Sequence, residues 1–195
     1  FTTIGAEAFM DSALQNVDLF DSVTTIGARA FAGCAKLEAL TLPESLTEIG
    51  EGALDGLTGL KKLVIRCDPA LIPAGVFANL PELADVTVET GAIPAHMFEG
   101  SGVTTLALGE GVTEIGESAF AGTKLNTADL QNAAVIGAGA FAGTMLSAVD
   151  LPNVTVIGAG AFEGAALERV TLRGDVNVGE RAFADTKLKS EAKRS

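Results

Sequence analysis

Few residues in this chain are equipped for chemistry. His96 is the only histidine among 195 residues, so no histidine-based zinc cluster can form, and a Ser-His-Asp relay could exist in one copy at most. No partner for His96 is evident in the sequence. Asp129 and Asp150 form a second candidate, since two carboxylates ~5 Å apart either shift a pKa, recruit a cation, or serve as acid and base. Gln131 offers one more oxygen, but Ca²⁺ normally takes about six or more. The set is incomplete, and the two carboxylates are expected to splay into water. Cys34 and Cys67 complete the list. They fall at opposite ends of neighbouring strands, roughly 17 Å apart for five residues, whereas bridged Cα atoms lie within about 7 Å. Both are expected to be free, with Cys34 acting as a small buried hydrophobe. Two free thiols lean weakly toward a reducing or anaerobic habitat. No metal site and no cofactor is expected.

What positions these residues is a repeat. A block I-G-x-x-A-F-x-G recurs from Ile4, Ile26, Ile49, Ile72, Ile93, Ile115, Ile136, Ile157 and Val178. Its aromatic position holds Phe9, Phe31, Leu54, Phe77, Phe98, Phe120, Phe141, Phe162 and Phe183, at steps of 21 to 23 residues. Regular steps of this length mean a solenoid, in which no coil can bury its apolar side alone. Five or six residues after each aromatic comes L-x-x-L-x-L, as in Leu37, Leu40 and Leu42, whose last four residues alternate like a strand. The reading is an α/β solenoid of about nine coils. One parallel sheet, with strands at residues 16–19, 39–42, 62–65, 85–88, 105–108, 127–130, 148–151 and 169–172, forms its concave face. Short helical turns form the other side, each ended by a left-handed residue two places after the aromatic: Asp11, Gly33, Gly56, Asn79, Gly100, Gly122, Gly143, Gly164 or Asp185. The glycine after the isoleucine needs no positive φ, because Pro73 and Pro94 replace it in two coils.

Residues 1–188 are read as a single solenoid domain and residues 189–195 as a polar C-terminal tail. Phe1 stands inside a repeat where Val23 stands in the next coil, which reads as a fragment of a longer protein. An uncapped first coil exposes a strand edge and core, so weak self-association through the N-terminal end is expected, with Phe20 shielding the first coils. Leu130 to Val149 carries no charge over twenty residues and is long enough to suggest a membrane span. Its apolar positions keep the register of the repeat, so membrane insertion is rejected. Thirteen basic against 25 acidic side chains give a net charge of −12, which repels phosphate backbones and excludes nucleic acid as a partner.

The intact run from Ile26 to Pro43 resembles the BspA-like leucine-rich repeats of bacterial surface antigens, and the resemblance covers nearly the whole chain. It implies an extracellular or cell-surface protein of a host-associated bacterium, of a kind that adheres to host matrix proteins or engages innate immune receptors. The shared residues are architectural, so no binding residue carries over. The working surface of such a solenoid is its concave sheet. Outward-facing residues there gather by charge: Lys62 and Arg66 in coil three, Asp85 and Glu89 in coil four, Asp129 and Asp150 in coils six and seven, Arg169 and Arg173 in coil eight. With no Trp and no Tyr in the chain, a sugar-stacking site is not expected. The function expected is protein binding or adhesion without catalysis. A carboxylate-based polysaccharide hydrolase using Asp129 and Asp150, or a spacer in a large surface protein, are the alternatives. His96 sits in a variable column with Glu7, Arg29, Gly52, Gly75, Ser118, Gly139, Gly160 and Arg181, expected to face solvent on the convex side.

Overall fold

A computed structural model describes residues 1–189 of the chain, so the expected tail beyond Lys189 lies outside the described residues. Successive coils stack in parallel along the molecule, and every strand pairing is parallel. The nine copies of the motif bound about eight full turns, because the ninth opens a turn that the described residues do not close. The core is one continuous column of Leu, Ile, Val and Phe.

Three walls enclose that core. The wall expected to be concave is built from Ala39–Leu42, Lys62–Ile65, Asp85–Val88 and Thr105–Leu108 in one four-stranded sheet, then Ala148–Leu151 and Arg169–Leu172 in a separate pair. The expectation of a single sheet fails at two places. Residues 127–130 are not a strand, and coil one contributes only an isolated bridge from Asn16 to Ala39. A second wall, which the alternation of hydrophobic residues did not reveal, is made of two-residue strands through the first apolar residue of seven of the nine motifs. Thr3–Ile4, Thr25–Ile26 and Glu48–Ile49 form one ladder. Glu114–Ile115, Val135–Ile136, Val156–Ile157 and Asn177–Val178 form another. Two residues per coil are too short for a period-2 signal.

Prolines divide this isoleucine wall. In the glycine-bearing coils the residue after the isoleucine donates to the preceding isoleucine carbonyl, as from Gly27 to Ile4 (2.8 Å), Gly50 to Ile26 (2.7 Å) and Gly116 to Ile93 (2.8 Å). Pro73 and Pro94 have no N–H to give. The glycines there serve a second purpose, close approach. A Cβ on Gly27 would stand 2.6 Å from the Ala6 nitrogen, and one on Gly137 would stand 2.7 Å from the Glu117 nitrogen. None of these glycines has positive φ, as their exchange for proline implies.

The third wall, through A-F-x-G, is not helical, and the expected helical turns are corrected here. Among the described residues the one helix is a single 3-10 turn at Pro69–Leu71. A helix directs every interior N–H along its own axis, whereas here alternate N–H groups leave the coil. Phe31 donates to Ala53 of the next coil (2.9 Å) and Gly33 to Asp55 (2.8 Å), while Ala30 and Ala32 turn back to Gly27 and Arg29 (3.1 Å each). The left-handed residue after the aromatic is present in all nine copies, and a second left-handed column runs through Glu7, Arg29, Gly52, Gly75, His96, Ser118, Gly139, Gly160 and Arg181. Four glycines in that column were its sequence signal.

Aromatic rings stack inside this wall from Phe77 to Phe183 with centroids 5.3 to 6.1 Å apart, and Phe9 stacks on Phe31 at 5.3 Å. Leu54 interrupts the column. The six interior rings are fully buried, while Phe9 at one end is 38% exposed. Three residues after the ring, coils two to four bury Cys34, Leu57 and Leu80. Coils five to seven instead bury Ser101, Thr123 and Thr144, whose hydroxyls donate to the carbonyls of Phe98 (2.7 Å), Phe120 (2.8 Å) and Phe141 (2.8 Å). A buried hydroxyl is tolerated there because it is satisfied by a carbonyl that also accepts the same residue's backbone N–H and has a second lone pair to offer.

Candidate functional site

The four-stranded part of the concave wall fixes the first four candidates. Lys62 stands opposite Asp85 in register, and both are exposed. At the ends of the same two strands, Arg66 Nε lies 3.3 Å from Glu89 Oε1. Residues of this type alternate with Leu63, Ile65, Val86 and Val88, all buried, so the ladder holds the charged side chains outward on a rigid support. Lys62, Arg66, Asp85 and Glu89 thus stand together on one outward face.

The structure adds neighbours to them. Lys61 Nζ is hydrogen-bonded to Glu38 Oε1 at 2.9 Å, and that carboxylate holds the exposed ammonium above its ordinary pKa, with Glu82 adding to the effect. Arg66 and Glu89 also border an open depression of about 400 Å³ that Asp21, Glu44 and Ser45 complete. Asp21 and Glu44 lie two residues beyond the last apolar position of their strands, outside the columns an alternation argument follows. Their shared register in coils one and two was the available signal. An exposed ion pair of this kind contributes little to stability, which leaves its charges free to meet a partner.

The remaining candidates are scattered. Arg169 and Arg173 are exposed on coil eight, Arg169 opposite Ala148 and Thr171 opposite Asp150. Arg169 belongs to the separate two-stranded sheet and Arg173 lies just beyond its end, so neither is continuous with the Lys62 cluster. Asp129 and Asp150 are not set side by side in a ladder, because residues 127–130 do not pair with Ala148–Leu151. Asp129 instead accepts from the Gln131 backbone N–H and from Gln131 Nε2, both at 3.1 Å. Gln131 is therefore a hydrogen-bond donor to the carboxylate through both its backbone and its amide nitrogen. Among the described residues no group of three or more His, Cys, Asp or Glu side chains is arranged to hold a metal ion.

His96 faces solvent, as its column implied, with its Nδ1 2.7 Å from Glu99 Oε2 and half of its side chain exposed. Ion pairs decorate the same convex surface, between Arg29 and Glu7 and between Arg181 and both Glu163 and Asp185. Both cysteines are free and buried. Burial pushes the Cys67 thiol up to about 11, which makes it a poor nucleophile at neutral pH. Phe20 is 65% exposed and lines an apolar depression of about 360 Å³ with Phe1, Ile4, Phe9 and Val23. No helix among the described residues is long and apolar enough to cross a membrane.

Comparison with known proteins places this geometry. Residues 2–92 and 70–189 match the model of the BspA type leucine-rich repeat region, in six copies. No curated protein matches the chain. Among solved structures, a leucine-rich cell surface protein from Faecalibacterium prausnitzii is 21% identical over 96% of this chain and 69% of its own, with a TM-score of 0.47. The leucine-rich repeat protein of T. pallidum is 26% identical over 97% of this chain and 72% of its own, with a TM-score of 0.40. A leucine-rich repeat protein from Bacteroides ovatus is 20% identical over 95% and 58%, with a TM-score of 0.42.

Proposed function

The chain belongs to the BspA-type leucine-rich repeat family, and from that premise we propose that it is a cell-surface adhesion or receptor-binding module whose concave wall engages a protein partner. The observation that carries this reading is the cluster on coils three and four. Lys62, Arg66, Asp85 and Glu89 alternate in sign over a short stretch of ladder, a pattern suited to a polar protein surface of complementary charge. Extracellular placement, and host matrix proteins or receptors as partners, follow from the family resemblance. The hydrolase alternative loses the opposed register on which it rested, because Asp129 lies outside the ladder that holds Asp150, and no catalytic family is indicated. The spacer alternative predicts no saturable binding.

Surface plasmon resonance of the chain over immobilised purified extracellular-matrix proteins tests the proposal. Saturable binding is expected, weakened at least ~10-fold by Lys62→Glu with Arg66→Glu and unchanged by Glu117→Lys on the opposite side. Absence of saturable binding throughout the panel, or equal losses from the two faces, overturns it. Weak self-association through the apolar depression around Phe1, Phe9 and Phe20 belongs to the same proposal. Sedimentation over a range of concentrations should show it, and a strictly monomeric species counts against it.

A further inference from the structure

Coil six departs from its neighbours on one wall only. Among the described residues, no backbone hydrogen bond joins 126–130 to the strand Thr105–Leu108 before it or to Ala148–Leu151 after it. The other two walls run through coil six without a gap. Ile115 pairs with Ile136, and Ile136 with Ile157. Phe120 donates to Ala140 (2.8 Å) and Gly122 to Ala142 (2.8 Å). The rings of Phe98, Phe120, Phe141 and Phe162 stack at 5.3, 5.5 and 5.4 Å.

Two residues account for the gap. In the ladder, the residue after the last apolar position donates to the preceding coil, as Arg66 does to Leu42 (2.9 Å), Glu89 to Ile65 (2.9 Å) and Gly109 to Val88 (2.8 Å). Gln131 is the equivalent donor in coil six, and its N–H goes to the Asp129 carboxylate instead. A side chain has displaced a ladder bond, as short polar side chains do when they reach a nearby N–H. Ala128 occupies the position held by Leu40, Leu63, Val86, Leu106, Val149 and Val170 in other coils. It brings the smallest side chain of the column to the core and a lower strand propensity.

We propose that coil six is a hinge, at which the concave wall opens and closes while the isoleucine and phenylalanine walls act as the pivot. Each half of the concave surface then moves as a unit, coils two to five on one side and coils seven and eight on the other. The proposal is independent of what the concave surface binds.

Two matched pairs of spin labels test it in the full chain. Ala107→Cys with Thr171→Cys spans coils five to eight across the concave wall, and Ala95→Cys with Ala159→Cys spans the same coils across the back. The native Cys34 and Cys67 are buried and stay unlabelled in the folded protein. A hinge gives a broad distance distribution for the concave pair and a narrow one for the back pair. Two narrow distributions, or two broad ones, overturn the proposal. Amide exchange supplies an unlabelled check, with residues 127–130 expected to exchange at least ~10-fold faster than 106–108 and 149–151. Equal protection refutes the hinge. Ala128→Val with Asp129→Thr, the residues found at these positions in coil eight, should narrow the concave distribution and slow exchange at 127–130. An unchanged width in a folded variant also refutes it.

Discussion

The back of coil four and the front of coil six are both places where a ladder stops, and they stop for opposite reasons. At coil four the interruption is covalent. Pro73 removes the donor that a glycine supplies in most other coils, Leu54 replaces a stacking ring one coil earlier, and the isoleucine strands end at Glu48–Ile49 and resume only at an Ile93 bridge. The concave wall continues there in full register. At coil six every donor is present, yet Gln131 gives its N–H to Asp129, and the front opens while the back is whole. A missing donor is written in the residue type. A diverted donor depends on where a neighbouring side chain lies.

Because the back wall carries most of the hydrogen bonds between coil six and coil seven, weakening it there should have the largest effect. Phe141→Ala removes a fully buried ring stacked between Phe120 and Phe162 and is expected to cost about 3–5 kcal/mol through lost burial and a cavity. A loss under about 1 kcal/mol in a urea titration would mean that the stack does not hold the two halves together.

The same wall offers a finer test in two glycines two residues apart. A Cβ on Gly137 meets backbone that cannot move aside, whereas Gly139 has φ +62 and only the Ser118 hydroxyl nearby. Gly137→Ala should therefore cost about 2–3 kcal/mol through overpacking, and Gly139→Ala about 1 kcal/mol through its backbone conformation. The reverse order would place the tight contact in the wrong column.

Cys67 probes the region where the front is whole. Its folded pKa of about 11 exceeds the ordinary value of 9.0 because burial disfavours the thiolate. The raised value contributes stability in full below pH 9.0, and that contribution is lost as pH rises toward 11. The decline is about 1.4 kcal/mol per pH unit within that window, on the order of 2 kcal/mol in all. With no tyrosine in the chain, thiolate absorbance can be followed without phenolate interference. Cys67→Ala should flatten the decline, and a parallel decline in the variant would assign it to other groups.

The smallest effect is expected at the covalent break. Pro94→Gly restores a donor facing the Ile72 carbonyl, while the freer unfolded chain offsets the gain. Stability should stay within about 0.5 kcal/mol, with a newly protected amide at position 94 in exchange experiments. A rapidly exchanging amide there would show that proline is not what divides the isoleucine wall.

The sequence by itself determined the period, the parallel stacking, the buried columns and the solvent-facing side of each strand. These follow from spacing, because an apolar residue recurring every 21 to 23 places has nowhere to go but the shared core. It also determined the left-handed residue after the aromatic, the free cysteines and the exposed place of His96, each a property of residue type at a repeated position. Only the tertiary structure decided which N–H groups meet the next coil. It turned the expected helical turns into stacked turns, revealed a second wall of two-residue strands and a second left-handed column, and left Asp129 outside the ladder that holds Asp150. The reason is common to all of these: a backbone N–H has several acceptors within reach, and the one it takes depends on the distance to a neighbouring coil, which residue spacing does not record.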